Sequence, residues 1–202
     1  MPESVFSDGK KLIVTDTGNH RILIWNETPT NHFQAADVVV GQLSMSITSA
    51  GYSSKKLNSP YFSIISDGKL LVSDFLNNRV LVWNSLPTSN GVSADVAIGQ
   101  NSLTTRTASV SLKGLNHPGG IRVDQQGRLF VVDHGSNRIL MWNQIPTSTG
   151  LAADINIKQI DMGNSELVPT KKFFLPWGLE IMGQQMWLAD NGNNRVLRFP
   201  IP

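Results

Sequence analysis

One block of sequence recurs four times without a gap: KLIVTDTGNHRILIWN, KLLVSDFLNNRVLVWN, RLFVVDHGSNRILMWN and QMWLADNGNNRVLRFP. Three anchors hold fixed places in it. Asp16, Asp74, Asp133 and Asp190 come first; Arg21, Arg79, Arg138 and Arg195 follow five residues later; Trp25, Trp83, Trp142 and Phe199 follow four residues after that. The steps between the aspartates are 58, 59 and 57 residues. A chain of 202 residues written this way is a repeat protein, in which a small unit buries its apolar face only by stacking on the next copy.

The first three copies continue in register through Pro29, Pro87 and Pro146 to Ala36-Asp37, Ala94-Asp95 and Ala153-Asp154, and on to Gln42, Gln100 and Gln159. All length variation falls between the glutamine and the next anchor aspartate, where linkers such as SMSITSAGYSSKK and NSLTTRTASVS read as surface loops. Each unit is expected to form four short strands. Strand A is a proline-led segment (MPESVF, SPYFSII, HPGGIRV, LPWGLEI), strand B is the apolar run ending at the aspartate, strand C is the arginine-led run, and strand D is DVVVGQ, DVAIGQ or DINIKQ. Asp8-Gly9, Asp67-Gly68 and Gln126-Gly127 mark A–B hairpins, and Gly-Asn-His or Gly-Asn-Asn supplies the left-handed tolerance for a tight B–C turn.

Strands B and C are apolar at nearly every residue, so both faces of each small sheet must be covered. No helical period exists to cover them, and the cover is the neighbouring copy of the same sheet. Radial stacking of four-stranded antiparallel sheets is a β-propeller, an all-β fold. At this point the residues carry a resemblance. The Asp-x-Gly-Asn-x-Arg-(Ile/Val)-Leu-x-Trp unit resembles the NHL repeat, and the Ala-Asp-x-Val-x-Gly-Gln extension resembles its long-period bacterial form. The departures are Leu76 and Ser136, where Gly and Asn are expected, and Lys158, where Gly is expected.

The resemblance implies a single propeller domain with repeats at residues 2–58, 59–116, 117–174 and 175–202, the last lacking its outer strand D. It also implies closure with about six blades. The expectation is therefore a part of a larger propeller; a self-contained four-bladed form and self-association are the other ways to complete it. Arg198, in the place of Ile24, Val82 and Met141, marks the last unit as less buried.

Composition narrows the function. Seventeen basic against fifteen acidic residues leave a net charge of +2, which does not favour nucleic acid as a partner; Lys55-Lys56 and Lys171-Lys172 are only small basic pairs. The absence of cysteine removes disulfides, thiol nucleophiles and cysteine-bound zinc. No apolar run is long enough to span a membrane. MPESVFSDGKK has no apolar core of a signal peptide, and only the resemblance to bacterial NHL proteins points to an extracytoplasmic place. Motifs of serine hydrolases, zinc proteases and P-loops are absent. Asp161, Glu166 and Glu180 are too scattered for a calcium cluster.

Anchors repeated four times are structural, so function is sought where the copies differ. The residue after the anchor aspartate reads Thr17, Phe75, His134 and Asn191; the residue after the strand-A proline reads Glu3, Tyr61, Gly119 and Trp177. Both series fall on the face of the B–C turns and D–A linkers. Tyr61, Phe75, His134, Trp177 and Asn191 are the candidate ligand-binding residues of a noncatalytic binding or scaffold module for a protein, peptide or glycan, with no cofactor. The alternative is a metal-assisted lyase or hydrolase in which His20, His117 and His134 hold zinc or another divalent ion on the same rim. NHL propellers include both binding modules and a lyase, so the fold leaves the two open.

Overall fold

Apolar runs joined by turns of a few residues pair antiparallel, and this happens once per repeat. The computed structural model describes residues 1–158 and 172–202; Gln159, Asp161, Glu166 and Lys171 lie outside the described residues. The first sheet is β1 (Ser4–Ser7), β2 (Leu12–Asp16), β3 (Arg21–Trp25) and β4 (Val38–Val40), and the second is β5 (Pro60–Ser66), β6 (Lys69–Asp74), β7 (Arg79–Trp83) and β8 (Val96–Ile98). The third is β9 (Pro118–Val123), β10 (Leu129–Asp133), β11 (Arg138–Trp142) and β12 (Ile155–Ile157), and the fourth is β13 (Pro176–Met182), β14 (Gln185–Asp190) and β15 (Arg195–Pro200). In every sheet the spatial order follows the chain order. The architecture is a four-bladed β-propeller arrangement. Among the described residues no helix is long and apolar enough to cross a membrane.

Side chains of alternate parity on β6 and β7 serve different neighbours. Leu70, Val72, Leu81 and Trp83 pack with Ile13, Ile22 and Ile24 of the first blade, whereas Leu71, Val80 and Val82 pack with Leu129, Val131, Leu140 and Trp142 of the third. Phe130, Val132, Ile139 and Met141 then meet Leu179, Met186, Leu188 and Phe199 of the fourth. The unbroken apolar runs are thus the two-sided blades that the sequence requires. The end blades differ. Leu12, Val14, Leu23 and Trp25 are only half-buried, and Arg198 is exposed over the Trp187 ring at 5.7 Å.

The anchors build one buried hub per blade. The carboxylate Oδ2 of Asp16, Asp74, Asp133 and Asp190 accepts the Nε–H of the paired arginine at 2.7 Å in all four copies. The other oxygen accepts a linker amide: Asn58 N–H to Asp74 at 2.7 Å, Asn116 N–H to Asp133 at 2.6 Å and Phe174 N–H to Asp190 at 2.8 Å. Arg79 spends its four remaining N–H groups on the carbonyls of Tyr52, Ser53, Lys56 and Leu103 at 2.5–3.2 Å. One guanidinium therefore ties its own B–C turn to the linkers before and after it. Burial pushes the Asp74 carboxyl up, and the Arg79 charge and the Asn58 amide pull it back.

The turns refine the sequence reading. Left-handed φ in the B–C turn is confined to its last residue, His20, Asn78, Asn137 and Asn194, at 51–53°. The preceding glycine serves close approach instead: a Cβ on Gly135 would lie 2.6 Å from the Asn116 side chain. Leu76 replaces that glycine in the second copy and keeps the matching amide bond, to Asn58 at 3.2 Å, against 3.1 Å for Gly18 and 2.8 Å for Gly135 and Gly192. Trp83 is 1% exposed, and its indole N–H reaches the Val92 carbonyl at 3.1 Å. Trp83→Ala is expected to cost about 3–5 kcal/mol in urea unfolding, with a clearly smaller loss for Trp25→Ala; equal losses would contradict the blade packing.

Candidate functional site

The two variable series lie on a frame that aims them at one another. In the first and third blades the first residue of the B–C turn faces the start of strand A in the next blade: Thr17 Oγ1 donates to the Pro60 carbonyl at 2.5 Å, and His134 Nδ1 meets the Pro176 carbonyl at 3.0 Å. A carbonyl only accepts, so Nδ1 of His134 is the donor in that contact. Phe75, at the same place in the second blade, has no polar atom to use in this way. Its ring packs among other rings instead.

Phe75 lies 4.7 Å from Tyr61, 4.7 Å from His117, 5.6 Å from Trp177 and 5.9 Å from His134, between ring centres. Trp177 stands edge-on to Tyr61 at 4.8 Å and to His134 at 4.9 Å, and also meets Phe62 at 6.2 Å. Edge-to-face packing of this kind adds to the burial of each ring. Tyr61 belongs to the second blade and Trp177 to the fourth, so the cluster bridges the third. The third blade permits this through Gly119-Gly120, since a Cβ on Gly119 would sit 2.8 Å from the Trp177 carbonyl oxygen and one on Gly120 would sit 2.9 Å from the Leu179 nitrogen. All six rings remain half-buried. Burial holds the His117 imidazole below its ordinary range, and the nearby His134 lowers it further against the pull of Asp133.

Comparisons with known proteins agree with this fold. The NHL repeat matches residues 115–140, the end of one linker through the third B–C unit. The other copies share its anchors, its hub and its turn. This is an NHL-repeat β-propeller. Among solved structures, a chain of a nidogen/laminin complex is similar at 17% identity and a TM-score of 0.59, over 98% of this chain and 59% of that one. The computationally designed Ika4 protein is similar at 8% identity and 0.52, over 100% and 92%. A streptogramin B lyase is similar at 12% identity and 0.50, over 100% and 55%. At such identities the likeness is one of fold, and the NHL propeller chain spans well under two thirds of the nidogen/laminin and lyase chains. No curated protein sequence matches it.

Of the residues singled out from sequence, Tyr61, Phe75, His134 and Trp177 come together, while Asn191 is an exposed turn residue of the fourth blade. His20, His117 and His134 do not form a metal centre: among the described residues no three His, Cys, Asp or Glu side chains are placed to hold an ion. His20 Nδ1 instead accepts the Ser59 N–H at 2.9 Å. Asn78 Oδ1 does the same for His117 N–H at 2.9 Å, and Asn137 Oδ1 for Leu175 N–H at 2.7 Å. The donating residues Ser59, His117 and Leu175 all precede the strand-A proline and all have φ of 48–53°. This clamp holds a strained residue in place between blades. It also turns the His117 ring toward Phe75, a member of the cluster that sequence reasoning assigned elsewhere. The signal was present as HPGG, where the other copies carry SPYF and LPWG.

The clamp through His20 titrates. Burial lowers its imidazole from the ordinary 6.5, and accepting an N–H requires the neutral ring. The unfolded chain therefore takes up the proton first, so His20's contribution is full above 6.5 and is lost as pH falls below it. His20→Asn keeps an acceptor and a left-handed residue without a titratable group. From about pH 7.5 to pH 5 the natural chain is expected to lose more unfolding free energy than His20→Asn. Equal losses in urea titrations would contradict the clamp.

Proposed function

We propose that the NHL propeller is a binding module that grips a protein or peptide segment on the B–C and D–A loop face, with Tyr61, Phe75, His134 and Trp177 as its anchors. The observation that carries this reading is the convergence of half-exposed rings from three blades at positions where the repeat frame itself demands no particular residue. Rings of this kind give a rigid contact area with little entropy to lose, which is why aromatic residues dominate interface hot spots. The His134 ring adds a polar edge beside the apolar surface. The fold likeness to a chain of a nidogen/laminin complex supports a protein partner over a small substrate. The near-neutral charge supports contacts that are apolar in character.

The test is selection of a random displayed peptide library on the immobilised chain, followed by binding measurements with Phe75→Ala and Trp177→Ala. Peptides enriched by the natural chain are expected to bind each variant about tenfold or more weakly. The thermal midpoints of the variants are expected to fall by only a few degrees, because these rings are half-buried. Peptides that bind both variants unchanged would remove the site. Capture of glycans by an array, without any peptide enrichment, would replace the peptide reading.

A further inference from the structure

The linkers Gln42–Leu57 and Gln100–Leu115 have equal length, so each position in the first has a counterpart in the second. Among the positions where they differ, Lys56 and Gly114 decide what fills the interior of the linker. In the first linker the Lys56 side chain folds inward, and its Nζ donates to Gln42 Oε1 at 2.8 Å and to Ser49 Oγ at 2.9 Å. The counterparts of these three residues are Gly114, Gln100 and Thr107. Gly114 brings no side chain, and an open cavity of about 400 Å³ lies there, lined by Gln100, Thr107, Ser109, Ser111 and Lys113 among others.

A reciprocal exchange accounts for the cavity. Gly51 in the first linker is Ser109 in the second. A Cβ on Gly51 would lie 2.9 Å from the Lys56 Cβ, and a Cβ on Gly114 would lie 2.3 Å from the Ser109 Cβ. Each linker therefore holds a side chain at one of the two positions, and the second linker has given up the lysine.

We propose that the cavity at Gly114 receives a primary alkylammonium group, which takes from a ligand what Lys56 supplies within the first linker. Gln100 Oε1 accepts the Thr107 N–H at 3.0 Å and keeps a second lone pair. Thr107 is the sequence counterpart of Ser49 and lines the cavity, as do Ser109 and Ser111, whose hydroxyls are hydrogen-bonded to each other at 3.1 Å and keep lone pairs to offer. No ring or carboxylate lines the cavity, so placed neutral oxygens select the three donors of an ammonium group. Lys113 also lines the cavity and is exposed to solvent, as is its counterpart Lys55 beside the seated Lys56, where water screens the two ammonium groups from each other. The site is separate from the ring cluster, and its test does not depend on that reading.

Amide chemical-shift titrations would use N-acetyl-lysine N′-methylamide, putrescine and the neutral N-acetyl-norleucine N′-methylamide. Saturable shifts at the Gln100 side-chain amide and the Thr107 backbone are expected for an amine, with the norleucine probe about tenfold or more weaker. Tighter binding of the lysine probe assigns a peptide side chain, and tighter binding of putrescine assigns a free amine. The double variant Ser109→Gly/Gly114→Lys recreates the internal plug and is expected to abolish the shifts. Thr107→Val, which keeps the backbone intact, is expected to weaken amine binding about tenfold even where the double variant fails to fold. Equal binding of the norleucine probe, no saturable shift with either amine, or undiminished binding by Thr107→Val would overturn the proposal.

Discussion

Everything in this molecule hangs on an arginine buried where burial should be costly. A guanidinium withdrawn from water is tolerated only with a paired carboxylate and with its donors satisfied. Arg79 meets both conditions, with Asp74 on Nε and four carbonyls on its remaining N–H groups. The carbonyls come from linkers, which have no ladder of their own to satisfy them. The hub therefore gives order to segments that would otherwise be loose loops, and it fixes the face on which those loops stand.

Because the frame is repeated, divergence between copies becomes informative. Three positions show this in different ways. At the first turn residue, Thr17 and His134 keep a polar bond to the next blade while Phe75 abandons it and joins rings. At the residue after the proline, Gly119 empties a space that lets Tyr61 and Trp177 meet across a blade. At the linker, exchange of Gly51 and Lys56 for Ser109 and Gly114 turns a filled volume into an open one. In each case the structural requirement is met elsewhere in the repeat, so the frame leaves the position free to vary.

The fold was legible because two-sided burial leaves a mark in sequence. Strands such as RVLVW and RLFVV have no polar face to offer solvent, so stacked blades follow from residue type alone. The variable positions on the loop face were legible for the same reason, as exceptions within a strict register. The destination of each side chain was not. His20 reads as a rim histidine until its Nδ1 is seen to stand in for an asparagine oxygen. Gly18, Gly135 and Gly192 read as conformational residues until the Cβ distances show that they yield space to a neighbouring segment. Spacing reports which residues share a unit, and only the packing between units decides where a flexible side chain goes.

The most direct measurement of the hub is native-state hydrogen exchange at the backbone amides of Asn58 and Asn116, which lie in linkers outside any strand and donate to Asp74 and Asp133. The account predicts that these two amides exchange only through global unfolding, with the protection of the β6 and β7 ladder. Exchange at the rate of ordinary loop amides would mean that the linkers open independently of the buried pair, and would contradict the role assigned to it.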